Sequence, residues 1–199
     1  MSNQVEILNR ETCFEGFFRV DRYTIRHGLF EGGLSQPITR EVFERGHSVA
    51  VLPYDAERDV VVLVEQFRAG ALDAPSGPWI MEVVAGMIDQ GHTPEEIAHK
   101  ELREEANLTA SELEYICEYL VSPGGTSERV KLYCARVDAE GAGGIHGRDD
   151  EGEDIRVHVV PFEEAWDMLQ NGVINNAMGI IVLQWLALNR ERLRDLWTA

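Results

Sequence analysis

The chain has 199 residues, 44% of them hydrophobic, and a formal net charge of −17. That length suits one domain plus a small appended element, with enough residues for a proper core. The charge argues against nucleic acid or an anionic membrane as partner, and any phosphate-bearing substrate would need cations to mediate its approach.

Residues Val5 to Arg45 read as β-rich, with strands near Val5–Asn9, Phe17–Arg26 and Ile38–Phe43 and a turn at Glu31-Gly32-Gly33. A three-stranded sheet this small is marginal alone, so it is expected to pack on the rest of the chain or on a second subunit. Composition shifts near Gly46, which divides the chain into a subdomain over 1–45 and a main domain over 46–199. Stronger strands follow at His47–Pro53, at Val60–Gln66 after a turn at Asp55–Asp59, and at Trp79–Val84 running on towards Gly86. The Ala-, Gly-, Pro- and Ser-rich stretch Ala69–Pro78 between them reads as a surface loop.

The stretch GMIDQGHTPEEIAHKELREEANL, Gly86 to Leu108, carries the best-marked helix of the chain. Thr93 is suited to the N-cap, Pro94 to the first helical position, and Glu96 completes a capping box. Asn107 can take the left-handed conformation that ends helices. With Ile97 as zero and ~100° per residue, Glu101 falls near ~40°, Glu105 near ~80°, Ala98 near ~100°, Leu102 near ~140° and Ala106 near ~180°. Two carboxylates therefore lie inside the arc that faces the core, with Glu104 flanking them near ~340°. A solvated acidic face is the ordinary reading of such a helix. It fits poorly here, because Lys100 near ~300° and Arg103 near ~240° point away from the Glu101/Glu105 pair. Carboxylates one turn apart on a buried face repel and shift towards protonation unless a cation neutralises them. Hard oxygen donors without cysteine or paired histidine point to Mg²⁺ or Mn²⁺ rather than zinc.

Strands are expected next at Glu114–Leu120 and Val130–Val137, then an acidic, glycine-rich loop over Asp138–Asp154 and a strand at Ile155–Val160. A helix over Glu163–Leu169, closed by Asn171-Gly172, and a last helix from Asn176 to Leu196 complete a mixed α/β or α+β fold with helices on both sheet faces. The longest apolar run, Ala177 to Leu188, is interrupted by Gln184 and too short to span a bilayer. Met1 to Arg10 is polar, so no secretory leader is expected. Cys13, Cys117 and Cys134 are scattered without metal-type spacing, which favours reduced thiols and the cytoplasm.

Three further stretches bear on chemistry. The acids Asp149 to Asp154 read as a solvated loop by default, but lead into a core-like strand and could supply further ligands to a six-coordinate metal. The turn Ser122-Pro123-Gly124-Gly125-Thr126-Ser127-Glu128-Arg129 lacks the ending of a phosphate loop, yet its N–H groups with Ser122 and Glu128 could hold a ribose or phosphate. Arg40, Arg45 and Arg68, at or beside strand ends, are candidates for gripping a pyrophosphate or stacking on a base. Gly141 to His146 only begins like a dinucleotide fingerprint. The six histidines show no pair at ligand spacing, and His99 falls on the outer side of the helix near ~200°.

The Gly86–Leu108 stretch resembles the Nudix box: Gly, five residues, Glu, seven residues, then Arg-Glu-U-x-Glu-Glu-x-Gly-U, with U aliphatic. Gly86, Glu101, Leu102, Glu104, Glu105 and Leu108 match, while His92, Lys100 and Asn107 stand where the pattern has Glu, Arg and Gly. Over nearly its whole length the chain resembles the ADP-ribose pyrophosphatase branch of that family, through EGFFRVDRY, TREVFERGH, PWIMEVVAGMI, SPGGTSER and EDIRVHVV. The resemblance implies a Nudix fold, a mixed sheet between helices with a small N-terminal antiparallel sheet. It also implies a homodimer whose N-terminal sheet helps form the partner's site. It places substrate contacts at Phe17, Phe18, Arg40, Glu41, Arg45, Arg68, Met87, Ser122, Pro123, Gly124 and Glu128. Mg²⁺ would be held by the Ala85 carbonyl with Glu101, Glu105 and Glu153, Mn²⁺ being a possible substitute. Glu151 would be the general base. The implied reaction is hydrolysis of ADP-ribose to AMP and ribose 5-phosphate. ADP-glucose or GDP-mannose hydrolysis, or a ligand-binding domain that has lost catalysis, are the alternatives.

Overall fold

The computed structural model describes residues 4–148, 150 and 152–198. It divides into two compact units, Met1–His47 with Tyr119–Arg129, and Ser48–Glu118 with Val130–Ala199.

The first unit is built on an antiparallel sheet of β1 (Val5–Glu15), β2 (Arg19–His27) and β3 (Ile38–Glu44), in that order. The turn before β3 carries Gly32 at φ +95° and Gly33 at φ +79°, backbone that side chains rarely adopt. Strand β1 runs on past the expected end at Asn9, because register shifts at Ile7/Asn9 and Thr12/Phe14 let it follow β2 to Glu15. Asp21, the third residue of β2 and buried, accepts from Arg10 Nη2 at 2.6 Å, Arg19 Nε at 3.0 Å and Thr12 Oγ1 at 2.8 Å. Neutralised in this way, one buried charge ties β1 to β2.

The second unit holds a mixed sheet in the order β10-β11-β5-β4-β9-β8. Its strands are β4 (Ser48–Asp55), β5 (Val60–Phe67), β6 (Trp79–Glu82), β7 (Val84–Met87), β8 (Glu112–Leu120), β9 (Arg129–Arg136), β10 (Gly144–His146) and β11 (Ile155–Pro161). Its helices are α1 (Pro94–Ala106), α2 (Phe162–Gln170) and α3 (Ala177–Trp197). Every residue of β4 is buried, and the strand, apolar from Val49 to Tyr54 as suits a central position, runs parallel to β9. Val49, Val51, Val62, Val64 and Val84 pack against Ile97, Ala98, Leu102 and Ala106 of α1. Ile97 and Leu102 are almost fully buried, each stabilising the fold by roughly 1.5–3 kcal/mol. The alternate residues Ala50, Leu52, Val61 and Leu63 point the other way, towards the side where α3 meets β4 and α2 meets β5 and β11. Helices therefore cover both faces, as expected.

The stretch Trp79–Val84 is not one strand. Strands β4 and β5 pair only at Tyr54–Val61 and Asp55–Val60. Beyond that they part, and the chain fills the gap with β6 against β5 and β7 against β4, changing partner at Val83. Both pieces are apolar apart from Glu82, so residue pattern alone does not reveal the break. The expected acidic loop likewise contains β10, a short strand on β11. Among the described residues no helix is long and apolar enough to cross a membrane.

Candidate active site

The parting of β4 and β5 leaves one edge of β7 open to α1, and the caps of α1 fix its rotation. Thr93 Oγ1 accepts from Glu96 N at 3.2 Å, Glu96 Oε2 accepts from Thr93 N at 2.8 Å, and Asn107 sits at φ 53°. With the helix held so that its apolar stripe meets the sheet, Glu105 is carried into the core at 2% exposure. Its Oε2 accepts the Ala85 backbone N–H at 3.0 Å. Glu101, its side chain 13% exposed, lies against Gly86. A Cβ at Gly86 would overlap Cγ, Cδ and Oε1 of Glu101, so the glycine supplies room for a carboxylate rather than an unusual backbone angle.

Burial pushes the Glu105 carboxyl up to about 8, with Glu101 and Glu153 adding to the rise against the Ala85 N–H and Arg68. Burial also raises Glu101, opposed chiefly by Lys100 and reinforced by Glu104 and Glu153. Lys100 does not point away as its helical position suggested. Its flexible stem brings Nζ to 3.4 Å from both Glu101 Oε1 and Glu104 Oε2. Glu153 is held in a tight loop, where Arg148 N donates to its Oε2 at 3.1 Å and Glu153 N donates to Arg148 O at 3.1 Å. The same loop meets α1 through Gly147 N donating to Glu104 O at 3.3 Å and through Arg148 Nη1, 3.7 Å from Glu104 Oε1. Glu151 lies outside the described residues.

Glu101, Glu105 and Glu153 sense one another electrostatically, but among the described residues no three acidic, histidine or thiol groups already form a metal cluster. The donor set is all hard oxygen, and its most buried member is a carboxyl that needs a cation to ionise at neutral pH. These residues fit a divalent metal.

A folded-state value of about 8, against the ordinary 4.5, means native Glu105 keeps a proton that the unfolded chain has lost. Its contribution to stability is therefore fully present below 4.5 and lost as pH rises through about 8. Without metal, the Tm of the wild type is expected to fall over that window relative to Glu105→Gln. Calorimetric titration with a divalent cation at pH 7, repeated in buffers of different ionisation enthalpy, is expected to report release of about one proton.

In the same unit Arg68 follows β5, its Nε donating to Glu82 Oε2 at 2.8 Å, and Met87 is exposed at the end of β7. Val64 pairs with Glu82 and Gln66 with Ile80. Glu82, Gln66 and, one alternation on, Arg68 thus share the sheet face that α1 covers. Glu82 is absent from the sequence-derived set of site residues. A charged residue inside the apolar run PWIMEVV was the signal available for it.

The first unit gathers others. Arg45 lies with its guanidinium 5.5 Å from the Phe18 ring centre and Nη1 3.5 Å from Oε2 of the buried Glu128. Phe18 contacts Phe17 and Phe43 edge-on, at 4.8 and 5.2 Å between centroids. Arg40 is mid-strand in β3 rather than at a strand end. Adjacent strand positions send Arg40 and Glu41 to opposite faces, and Glu41 accepts from Arg22 Nη2 at 2.8 Å. Ser122, Pro123 and Gly124 form an exposed turn whose Ser122 carbonyl accepts from Gly125 N and Thr126 N at 3.0 and 2.9 Å.

The NUDIX domain family model matches residues 44–178. The chain belongs to the Nudix family. It is 49% identical to an ADP-ribose pyrophosphatase of Escherichia coli strain K12, covering 98% of this chain and 93% of that one. It is 43% identical to an ADP-ribose pyrophosphatase of Haemophilus influenzae, covering 97% and 90%. A GDP-mannose pyrophosphatase of Enterobacter sp. strain 638 is 32% identical, over 95% and 98%. A solved structure described as an ADP compounds hydrolase shares the fold, with a TM-score of 0.70 at 21% identity, over 95% and 98%. The departures of this Nudix chain from the box have local accounts. Asn107 takes the left-handed cap, Lys100 bridges Glu101 and Glu104, and His92, exposed, stands with Nδ1 3.7 Å from Glu96 Oε2. His99 is half-buried rather than exposed.

Proposed function

We propose that this protein hydrolyses the diphosphate bond of ADP-ribose to AMP and ribose 5-phosphate, using Mg²⁺ with Mn²⁺ as a substitute. The observation that carries the reading is the buried Glu101/Glu105 pair beside Ala85 and Gly86, in a chain 49% identical over 98% of its length to an ADP-ribose pyrophosphatase. The Ala85 carbonyl, Glu101, Glu105 and Glu153 would hold the metal. When bound, the metal supplies positive charge against the diphosphate and acidifies water. Arg68 and Met87, and in the N-terminal unit Phe17, Phe18, Arg40, Glu41, Arg45, Ser122, Pro123, Gly124 and Glu128, are the substrate contacts. The N-terminal sheet over 1–45 serves dimerisation and substrate contact, the protein acts as a cytoplasmic homodimer, and neither nucleic acid nor membrane is a partner.

Glu151, in the acidic loop, is the general base for the attacking water. Glu151→Gln is expected to reduce kcat far more than metal affinity. A large loss of affinity in a metal titration, with turnover little changed at saturating metal, would instead exchange its role with that of Glu153.

The second reading, GDP-mannose hydrolysis, rests on relatives at 32–33% identity. Measuring kcat/KM with Mg²⁺ over ADP-ribose, ADP-glucose, GDP-mannose and diadenosine polyphosphates decides between them. ADP-ribose is expected to lead, and a higher value for GDP-mannose would transfer the assignment.

A further inference from the structure

We infer that Glu82 is a positioning residue, one that aims the Arg68 guanidinium at an anionic substrate and keeps it off the metal-binding carboxylates. The inference rests on the reading of Arg68 as a substrate contact. Arg68 stands just past the last residue of β5, held there by its own N–H donating to Pro78 O at 2.7 Å. It lies close enough to Glu105 to favour that carboxylate's charged form. Left alone in so acidic a surrounding, a flexible arginine would fold onto the nearest buried carboxylate, where it would compete with metal.

The structure shows a different arrangement. Arg68 gives its Nε to Glu82 Oε2 at 2.8 Å, with side-chain exposures of 43% for Arg68 and 18% for Glu82. Among the described residues, no hydrogen bond engages its two Nη atoms. Binding through Nε leaves the end-on fork, Nη1 with Nη2, open for two oxygens of one phosphate. Glu82 is itself fixed by register, opposite Val64 on the β5–β6 ladder, with Val64 locked in the core against α1. A strand-borne carboxylate is a firmer anchor than a loop residue would be. On the same face Gln66, 5% exposed, has an amide Nε2 with no partner. An unpaired buried donor of this kind carries a desolvation cost that a folded core does not need, which marks the strip as built for a polar function.

The test is a double-mutant cycle over Arg68→Ala and Glu82→Ala, with Glu82→Gln as the conservative variant. KM and kcat are read with ADP-ribose and Mg²⁺, and Kd for ADP-ribose is read calorimetrically without metal. Glu82→Ala is expected to raise KM and Kd about tenfold with kcat changed far less, and the double variant to be no worse than Arg68→Ala. Glu82→Gln keeps an acceptor for Nε and is expected to stay within about threefold of wild type. A thermal melt separates this from unfolding, since a structural role alone would lower Tm without the KM-against-kcat split. Additive losses in the cycle, an unchanged KM in Glu82→Ala, or an unchanged KM in Arg68→Ala would each overturn the inference. Wild-type binding without turnover would remove the diphosphatase reading yet leave the cycle decisive in Kd. Wild type that neither binds nor cleaves ADP-ribose removes both.

Discussion

Glu105→Gln is expected to lower kcat with ADP-ribose by several orders of magnitude while leaving the fold intact. The substitution keeps the shape of a side chain that is 2% exposed and keeps an oxygen that can accept the Ala85 N–H now bound at 3.0 Å. It removes the negative charge, which is what a divalent cation would draw from this position. Since the native carboxyl already holds a proton to about pH 8 without metal, the neutral amide imitates the resting state and loses only the liganded one. Metal-free stability is accordingly expected to match that of wild type below pH 4.5 and to exceed it by a margin that grows up to about pH 8 and then levels off. Calorimetric metal titration should lose the proton release along with the affinity. Near-normal turnover would remove Glu105 from the metal site.

Gly86→Ala is expected to be nearly as damaging, acting through the neighbouring carboxylate Glu101. The added methyl would overlap the Glu101 side chain from Cγ to Oε1, and Glu101 is anchored on a helix whose neighbours Ile97 and Leu102 are almost fully buried. Either the carboxylate is displaced or α1 lifts from β7. Overpacking of this kind costs roughly 1–3 kcal/mol, and each kcal/mol lowers Tm by about 2–4 °C in a chain of this size. Loss of metal affinity should exceed what that destabilisation explains. Adding Glu101→Asp, which withdraws the carboxylate by one methylene, is expected to recover part of the Tm. A Gly86→Ala variant with wild-type metal affinity would show that Glu101 is not confined as described.

The helix of the site was legible in residues because its signals are local. Thr93, Pro94, Glu96 and Asn107 mark both ends of α1, and helical spacing then places Glu105 inward. What helical spacing cannot show is the reach of a flexible side chain, by which Lys100, angled away from the Glu101/Glu105 pair, bridges Glu101 and Glu104. The split of β6 from β7 was hidden for a non-local reason. Whether an apolar run pairs with one strand or changes partner depends on where β4 and β5 diverge, and nothing within Trp79–Val84 encodes that divergence. The role of Glu82 is hidden for the same reason, because it comes from the β5–β6 register that sets Glu82 beside Arg68. In the N-terminal unit, Arg45 and Glu128 belong to separate stretches of the sequence, one grouped with Arg40 and Arg68 and the other with Ser122. Their pairing depends on strand β3 meeting the turn of 122–129, where Phe43 N donates to Gly125 O at 2.8 Å.

Buried carboxylates on α1 are proposed to serve divalent-metal hydrolysis of ADP-ribose. Incubating the protein with ADP-ribose and Mg²⁺ and following the products by chromatography tests it most directly. AMP and ribose 5-phosphate are expected in equal amounts, ceasing when a chelator is added and resuming when Mg²⁺ is restored. ADP-ribose recovered unchanged from protein that binds it at saturating Mg²⁺ would contradict the account.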